Sequence, residues 1–329
     1  MPIAVVVIGA GPIGLQIASE VRARDDLELT GVVDIDPKKI GQDAGALFGE
    51  PPWGVAVRSS VDGIRARVAI LCTASSVQAC LPSVLDVIER GMAVVSTCEE
   101  LVYPFSKAPA VAAQIDDAAR RGGVAVLGTG VNPGFLMDAL PLFMTAVVPH
   151  VAHLRVERIQ DAGPRRRPFQ DKVGVGLTQA EFASRAKEPS FGHRGLRESA
   201  DLLARGLGLQ FDEVVEEMRP LIAEAEISSW SRLVSAGMVR GIEQVARGRI
   251  DGHDVVTLYF RAALGEAHPH DRVQISGPSP LEVEVKGIHG DVATRSIAVN
   301  AVARIVEARP GLRTMLDVGV VSARLRPPA

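Results

Sequence analysis

The first 135 residues alternate short β-branched runs with longer stretches in which apolar positions recur at helical spacing. Ile3 to Ile8 is a nearly continuous apolar run, the pattern of a strand that is buried on both faces. Ile13, Ile17 and Val21 follow at helical spacing, and Leu27 to Val33 predicts a second strand. Further strands are predicted at Gly54 to Val57, Val68 to Cys72, Ala93 to Thr97 and Val124 to Leu127. Helices are predicted from Pro37 with Asp36 as its cap, within Val77 to Arg90, and from about Lys107.

Strands that alternate with helices of this length predict βαβ units and a parallel sheet. Residues 1–135 are therefore expected to form a doubly wound α/β domain of the Rossmann type. A chain of 329 residues exceeds the usual size of a single core, which predicts a second domain.

From residue 136 to residue 329 the pattern changes, and we expect an α+β domain with an open mixed sheet. Its strands are predicted in "AHLRVERIQDA", "HDVVTLYFRAAL", "DRVQISG" and "LEVEVKGI". Its helices are predicted within Thr178 to Lys187, Leu196 to Arg205 and Phe211 to Glu226. A last helix runs from Thr294 to Pro310, and the sequence leaves open whether it returns to the first domain.

Composition narrows the function classes. The net charge of −3 provides no field for nucleic acid or an anionic membrane, and no apolar run approaches the roughly 18 residues of a membrane span. Three cysteines without a CxxC pattern fit a reducing compartment, and no targeting segment precedes the first strand, so a cytoplasmic protein is predicted. The run Arg165 to Arg167 is expected to be a solvated loop, with an anion clamp as the alternative.

The segment "VVVIGAGPIGLQIA" carries the spacing G-x-G-x-x-G between a strand and a helix. Gly9 permits the tight turn, Gly11 lets the backbone approach a pyrophosphate, and Gly14 lets the helix pack against the strand. The second strand ends at Asp34, where an acid would bind the adenine ribose hydroxyls. Together these features predict a dinucleotide-binding site.

The ends of the other strands support this interpretation. "CTASS" and "GTGVNPG" supply small or glycine-rich loops at the edge of the sheet where ligands bind in open α/β folds. Asp34 would repel the 2′-phosphate of NADP, whereas Lys38 and Lys39 could neutralise it, so both NAD and NADP remain open with NAD favoured. The predicted cofactor-binding residues are Gly9, Gly11, Pro12, Ile13, Gly14, Asp34, Thr73, Ala74, Ser75, Gly128 and Asn132.

Two adjacent acids, Glu99 and Glu100, follow the fifth strand in "VVSTCEELVYPF". A carboxylate near the nicotinamide needs a cationic partner, and the oxidation of an amine supplies one as the ammonium and again as the iminium. Such a carboxylate can also act as a base. Thr97 and Glu100 alternatively form a T-x-x-E capping box, which would leave Glu99 as the acid. Tyr103 either orients the acid or substrate, or packs against the following proline.

Several motifs resemble the 2,4-diaminopentanoate dehydrogenases and related native amine dehydrogenases, whose first domain is similar to that of dihydrodipicolinate reductases. These motifs are "GAGPIG", "STCEELVYPF", "GTGVNPGFLMD", "FGHRGLRES" and "GDVATRSIAVNAVARIVEARPGL". The resemblance implies reversible NAD(P)-dependent oxidative deamination of a small primary amine or diamino acid. In reverse, a ketone or aldehyde reacts with ammonia. It also implies a glutamate of the pair as catalytic acid/base and a homodimer.

One feature departs from the resemblance. Arg194 and Arg197 bring more positive charge than a cationic diamine would favour, and they either face solvent or bind a substrate carboxylate. His193, in the same motif, is a candidate to line the substrate pocket with Tyr103 and Asn132, or is a structural histidine. The seven histidines show no ligand spacing, so no metal is predicted. The alternatives are a dihydrodipicolinate reductase-like, carbonyl or imine reductase, and a non-catalytic dinucleotide-binding regulator.

Overall fold

The chain forms two units, one of which is discontinuous in sequence. In the computed structural model, which describes residues 1–188 and 191–325, the first unit combines residues 1–135 with the chain from His289 onward. Residues 136–288 form the second unit. No helix in the described part of the chain is long and apolar enough to cross a membrane.

The first unit is built on a parallel sheet, as the continuous apolar runs predict. Its strands are flanked on both faces by buried aliphatic side chains, in two separate core clusters. The strands contributed by residues 1–135 are β1 (Ile3–Ile8), β2 (Leu27–Val33), β3 (Val57–Arg58), β4 (Val68–Leu71), β5 (Ala93–Ser96) and β6 (Ala125–Gly128). The helices are α1 (Pro12–Arg22), α2 (Ala44–Phe48), α3 (Val77–Glu89) and α4 (Pro109–Gly122), with a 3-10 helix at Glu99–Val102.

The helix predicted from Pro37 is wrong, because residues 37–41 form turns and α2 begins after Asp43. Asp43, and not the predicted cap Asp36, binds several backbone amides through its carboxylate. The Asp43 carboxylate accepts hydrogen bonds from the amides of Gly45, Ala46, Trp53 and Val55, so it fixes both the helix start and the loop that returns to it.

The second unit is an α+β fold with a six-stranded mixed sheet, which confirms the predicted class. Its strands are β7 (His153–Asp161), β8 (Glu213–Ile222), β9 (Ile227–Ser228), β10 (Leu233–Val234), β11 (Val239–Ile250), β12 (His253–Ala263), β13 (His270–Ser276) and β14 (Leu281–Val285). Its helices are α5 (Ala139–Thr145), α6 (Arg167–Lys172), α7 (Gln179–Arg185) and α8 (Leu196–Leu207). The strand order of the sheet is β14-β13-β7-β12-β11-β8, in which β7 and β12 are parallel and the other neighbours antiparallel.

The helix predicted within Phe211 to Glu226 is also wrong, because this segment contains the edge strand β8. Exposed residues recur every third position at Glu213, Glu216 and Arg219, which resembles helical periodicity. Pairing with β11 along almost the whole strand decides the conformation instead. Pro220 is compatible with a strand at the edge of the sheet.

The C-terminal segment completes the first unit. Helix α9 (Gly290–Ile305) packs against α1, and strand β15 (Gly311–Arg313) pairs in parallel with β6. Val299 and Val302 of α9 are fully buried in the same core cluster as Val5 and Val7 of β1. The order of the completed seven-stranded sheet is β15-β6-β5-β4-β1-β2-β3.

Candidate active site

The loops that follow β1, β2, β4, β5 and β6 lie at the carboxyl edge of the first sheet, because all its strands are parallel. Backbone hydrogen bonds join the first residue after each strand to the end of its neighbour. The donor and acceptor pairs are Gly9 N to Val33 O (2.7 Å), Cys72 N to Ile8 O (2.8 Å), Thr97 N to Leu71 O (3.0 Å) and Thr129 N to Ser96 O (2.8 Å). The predicted site residues of the first unit are therefore held along one edge.

The three glycines of the G-x-G-x-x-G motif have different steric surroundings. Gly9 has φ +103°, and a Cβ there would lie 2.7 Å from the Cys72 carbonyl oxygen. A Cβ at Gly14 would lie only 1.7 Å from the Gly9 carbonyl oxygen, so the close contact of α1 with this turn requires glycine. At Gly11 a Cβ would meet no heavy atom of the described chain within 4 Å. Space is therefore left beside the N-terminus of α1, where a pyrophosphate would bind.

Asp34 lies at the end of β2, where the sequence predicts it. Its carboxylate accepts hydrogen bonds from Ala10 N (2.7 Å) and Asp36 N (2.8 Å) and pairs with Lys39 Nζ (2.9 Å). Burial opposes ionisation, but these three donors outweigh it and lower the pKa of Asp34. An ionised acid fixed beside the glycine loop fits a ribose hydroxyl.

The remaining predicted cofactor positions flank this loop. Pro12 and Ile13 form the first turn of α1, and Thr73, Ala74 and Ser75 follow β4 with partly or fully exposed side chains. Gly128 ends β6 against the 3-10 helix, where a Cβ would come within 2.4 Å of the Leu101 backbone. The residues present thus fit a dinucleotide along the edges of β2, β1 and β4.

Glu99 and Glu100 open the 3-10 helix that follows β5, and both are half-buried. Glu100 is tied to the loop after β4 twice: its carboxylate accepts from Val77 N (2.9 Å), and its amide donates to Ser75 O (3.2 Å). The Glu100 carboxylate thereby caps α3, whose first amides would otherwise lack partners. Cys98, rather than Thr97, is the residue before the 3-10 helix.

Two further predicted site residues follow this turn and the neighbouring strand β6, respectively. Tyr103 packs edge-on against Phe105, with ring centroids 5.1 Å apart. Asn132 follows β6, and both polar atoms of its amide are buried without a hydrogen-bond partner among the described residues. Because an unpaired buried amide is costly, its environment is suited to a ligand that supplies a donor and an acceptor.

In the second unit, His193 stacks on Phe260 with ring centroids 4.3 Å apart and an interplanar angle of 21°. Its backbone is held on both sides by Gln244, which accepts from the His193 amide and donates to its carbonyl. The Nε2 atom is buried and has no hydrogen-bond partner among the described residues. Burial, together with the positive charges of Lys172, Arg158 and Arg165, holds the pKa of His193 well below its usual range.

The sequence predicts that Arg165 to Arg167 form a solvated loop, and this prediction is wrong for Arg165. Arg165 is only 8% exposed, lies over the Phe169 ring at 4.0 Å and donates to Gln160 Oε1 at 2.6 Å. Its carbonyl oxygen accepts from the fully buried Gln170 and from Trp230. An arginine with this many neutral contacts is positioned rather than merely solvated.

Sequence reasoning missed Arg158, which is 1% exposed on β7 and donates to Asp271 Oδ1 at 2.6 Å. A signal was present, because Arg158 continues the inward-facing alternation of Leu154 and Val156. Arg197, in contrast, is engaged with Asp201 one turn along α8 at 2.9 Å.

Comparison with known proteins agrees with this architecture. Residues 135–326 match the family described as the 2,4-diaminopentanoate dehydrogenase C-terminal domain, and residues 3–130 match the dihydrodipicolinate reductase N-terminus. The chain is 29% identical to a 2,4-diaminopentanoate dehydrogenase of Acetoanaerobium sticklandii, over 97% of this chain and 94% of that protein. It is 25% identical to an amine dehydrogenase of Streptomyces virginiae, over 96% of both.

The fold is also similar to the structure of an amine dehydrogenase from Mycobacterium smegmatis. The TM-score is 0.87 with 21% identity, and the match covers 98% of each chain. Since the C-terminal family match spans more than half of the sequence, the chain belongs to the 2,4-diaminopentanoate dehydrogenase family.

Proposed function

We propose that this protein is an NAD(P)-dependent amine dehydrogenase that catalyses the reversible oxidative deamination of a small primary amine or diamino acid. The observation that carries this proposal is the acid pair at the carboxyl edge of β5, beside the glycine loop and Asp34 on the same sheet edge. Glu100 caps α3 through Val77, whereas Glu99 lies on the same half-buried turn at the carboxyl edge of β5. The names of the two relatives that the chain matches along nearly its whole length support the same reaction class.

In this proposal Glu99 handles protons and positive charge. Its carboxylate accepts a proton from the substrate ammonium and releases it to solvent, and the ionised carboxylate then stabilises the iminium left after hydride departs from the amine-bearing carbon. The nicotinamide of NAD(P) supplies the hydride acceptor. Glu99 next takes a proton from the water that attacks the iminium carbon and returns it to the carbinolamine nitrogen, so that the carbinolamine collapses to a carbonyl compound and ammonia. The Asn132 amide, in the loop after the adjacent strand β6, is suited to orient a polar group of substrate or cofactor.

We propose NAD as the preferred cofactor, with NADP also used. The ionised Asp34 disfavours a 2′-phosphate, but Lys39 lies 2.9 Å from the same carboxylate and could pair with that phosphate instead.

We also propose that the enzyme is a cytoplasmic homodimer. The family resemblance and the three free cysteines support this. Light scattering should give twice the chain mass of 34.8 kDa, and fractionation of the source cells should recover the protein with cytosolic markers.

The test is NAD(P)H oxidation with high ammonia and a panel of small ketones, aldehydes and 2-amino-4-oxopentanoate. Glu99→Gln should lower kcat by about 10²–10⁴-fold, the usual contribution of a positioned acid/base. Glu100→Gln should have a far smaller effect, because a glutamine oxygen can still accept from Val77. Glu89→Gln, at an exposed glutamate at the end of α3, is the matched control.

Other outcomes would contradict the proposal in distinct ways. A collapse in Glu100→Gln alone would exchange the roles of the two acids. Turnover without ammonia would indicate a carbonyl or cyclic-imine reductase. Cofactor binding without turnover of any compound in the panel would favour the non-catalytic regulator.

A further inference from the structure

Two of the three cysteines lie next to each other at the base of the turn that carries the acid pair. Cys80 is in the first turn of α3, and Cys98 directly precedes the 3-10 helix that begins at Glu99. Both side chains are buried in the same core cluster. The Cys98 thiol donates a hydrogen bond to the Cys80 sulfur, so the two sulfur atoms are direct neighbours although they belong to different elements.

This contact belongs to a set of bonds that joins α3 to the acid turn. The Cys80 thiol donates to Val77 O at 3.4 Å, and the amide of the same valine donates to Glu100 Oε2 at 2.9 Å. Within the turn, Leu101 N donates to Cys98 O at 3.1 Å. A displacement of Cys98 toward Cys80 therefore moves the acid turn relative to α3.

The two thiols differ in acidity, and this difference assigns their roles. The hydrogen bond that Cys98 donates lowers the pKa of Cys80, although burial and the charge of Glu100 oppose that effect. The position of Cys80 in the first turn of α3 also favours a thiolate. The same hydrogen bond, together with burial, raises the pKa of Cys98. Because the thiolate is the form that attacks an oxidant, Cys80 reacts first and Cys98 follows.

The third cysteine, Cys72, follows β4 and is not part of this pair. Burial raises the pKa of Cys72 to about 12, although a hydrogen bond with the Thr97 side chain lowers it in part. Cys72 therefore stays a thiol at neutral pH and serves as an internal control for the chemistry of the pair.

We propose that Cys80 and Cys98 form a reversible disulfide when the enzyme meets a peroxide, and that this disulfide stops catalysis by displacing Glu99. The effect on catalysis rests on the proposed amine dehydrogenase function, whereas the formation of the disulfide does not. In a reducing compartment the pair is held as two thiols, and disulfides that form there are mostly transient and redox-sensing.

The oxidation takes place in two steps. The Cys80 thiolate attacks one oxygen of the peroxide, so that an S–O bond forms, the O–O bond breaks and the released hydroxide is protonated to water. The Cys98 sulfur then attacks the sulfur of the Cys80 sulfenic acid. The S–S bond forms, the S–O bond breaks, and hydroxide leaves with the Cys98 proton as a second water. Two thiols lose two electrons in total, hydrogen peroxide is reduced to two waters, and a dithiol reductant reverses the change.

The disulfide changes the geometry of the acid turn. Bonded sulfur atoms lie about 2.05 Å apart, which is closer than two hydrogen-bonded thiols. Cys98 is thus drawn toward α3, and Glu99, the next residue along the chain, moves with it. A misplacement of about 1 Å near reacting groups can reduce a rate by about 100-fold.

The first experiment detects the disulfide without requiring turnover. The reduced enzyme is treated with hydrogen peroxide, the remaining thiols are alkylated under denaturing conditions, and the peptides are analysed by mass spectrometry without reductant. We expect peptides linked through Cys80 and Cys98, with Cys72 alkylated, and we expect dithiothreitol to abolish the link. Oxidation of Cys80 to a sulfinic acid without a link, a link that involves Cys72, or no reaction would overturn the proposal.

The second experiment measures the effect on catalysis with ammonia, NADH and a carbonyl substrate that the enzyme turns over. The kcat of the wild type should fall about 10-fold or more as the linked fraction rises, and it should recover with dithiothreitol. Cys80→Ala and Cys98→Ala, each compared with its own untreated form, should lose this reversible inhibition. Cys72→Ala is the matched control and should retain it. An unchanged kcat in the linked enzyme, or reversible inhibition that persists in both pair variants, would overturn the proposal.

Hydrogen exchange separates this inference from the proposed function. If no carbonyl compound is turned over, the proposed function fails, and amide exchange of Glu99–Val102 in the linked and reduced enzymes takes the place of kcat. Altered exchange in this segment would support displacement of the turn, whereas identical exchange would refute it. If Cys98→Ala does not fold, Cys80→Ala and the wild type decide.

Discussion

Replacement of Gly14 and Gly11 by alanine should separate the folding and binding roles of the glycine loop. A Cβ at Gly14 would lie 1.7 Å from the Gly9 carbonyl oxygen, half of the 3.4 Å at which ordinary contact begins. Overpacking of this kind costs about 3 kcal/mol, and the better helix propensity of alanine returns about 1 kcal/mol. We therefore expect Gly14→Ala to lose about 2 kcal/mol or more of the free energy of unfolding, and Tm to fall by about 4–8 °C.

Gly11→Ala should change the stability little but weaken the binding of NADH. Gly11 precedes α1 with φ −76°, which alanine adopts readily, and its Cβ would meet no atom of the described chain within 4 Å. The stability change should stay near 1 kcal/mol, the usual difference between glycine and alanine at a helix N-cap. The added methyl group would occupy the space expected for the pyrophosphate, so the Kd for NADH should rise about 10-fold or more.

Urea denaturation measures the stability of the two variants, and nicotinamide fluorescence titration measures their Kd for NADH. The result that would refute the reasoning is a Gly14→Ala protein as stable as the wild type. A Gly11→Ala protein that binds NADH with wild-type affinity would refute the proposed position of the pyrophosphate.

Three further predictions concern other polar groups. Because the pKa of His193 is lowered in the folded protein, the histidine takes up a proton in the unfolded state first as the pH falls below about 6.5. Between about pH 7.5 and 5.5 the wild type should therefore lose about 1 kcal/mol more of its free energy of unfolding than His193→Phe, as measured by urea midpoints at both pH values; an equal loss would contradict the lowered pKa. Gln170→Leu removes the buried amide that donates to the carbonyls of Ala162, Gly163 and Arg165, although Arg165 N and Trp230 still donate to two of them. The loss should be about 1–3 kcal/mol in urea denaturation, and an unaltered midpoint would contradict a structural role for Gln170. Asp34→Ser removes the charge that opposes a 2′-phosphate and should raise the ratio of kcat/KM for NADPH over NADH by about 10-fold. A constant ratio would show that Asp34 does not determine the preference between NAD and NADP.

The parallel sheet of the first unit could be predicted because its signals are local. A strand buried on both faces is an apolar run, and the glycine motif and Asp34 occur at positions set by the βαβ unit itself. The cap at Asp36 failed because a single aspartate before a proline is a weak local signal. Asp43 has decisive partners at Trp53 and Val55, which its neighbouring sequence does not reveal.

Long-range pairing explains most of what sequence reasoning missed. The exposed residues of β8 have helix-like spacing, and pairing with β11 makes the segment extended instead. Strand β11 was itself not predicted from the sequence. The burial of Arg158 likewise depends on Asp271, 113 residues away on β13. In the candidate site, the sequence predicted the two acids, but the separate task of Glu100 depends on its contact with Val77 at the start of α3.

The discontinuous first unit has a consequence for the order of folding during synthesis. A ribosome releases residues 1–135 first, but the sheet then lacks its edge strand β15. It also lacks helix α9, so the apolar face that α9 covers, which includes Val5 and Val7, is exposed. The second unit, residues 136–288, is complete before that gap closes. The nucleotide-binding half should therefore mature last, although it is made first, and a nascent chain stalled near residue 288 should expose this face to chaperones.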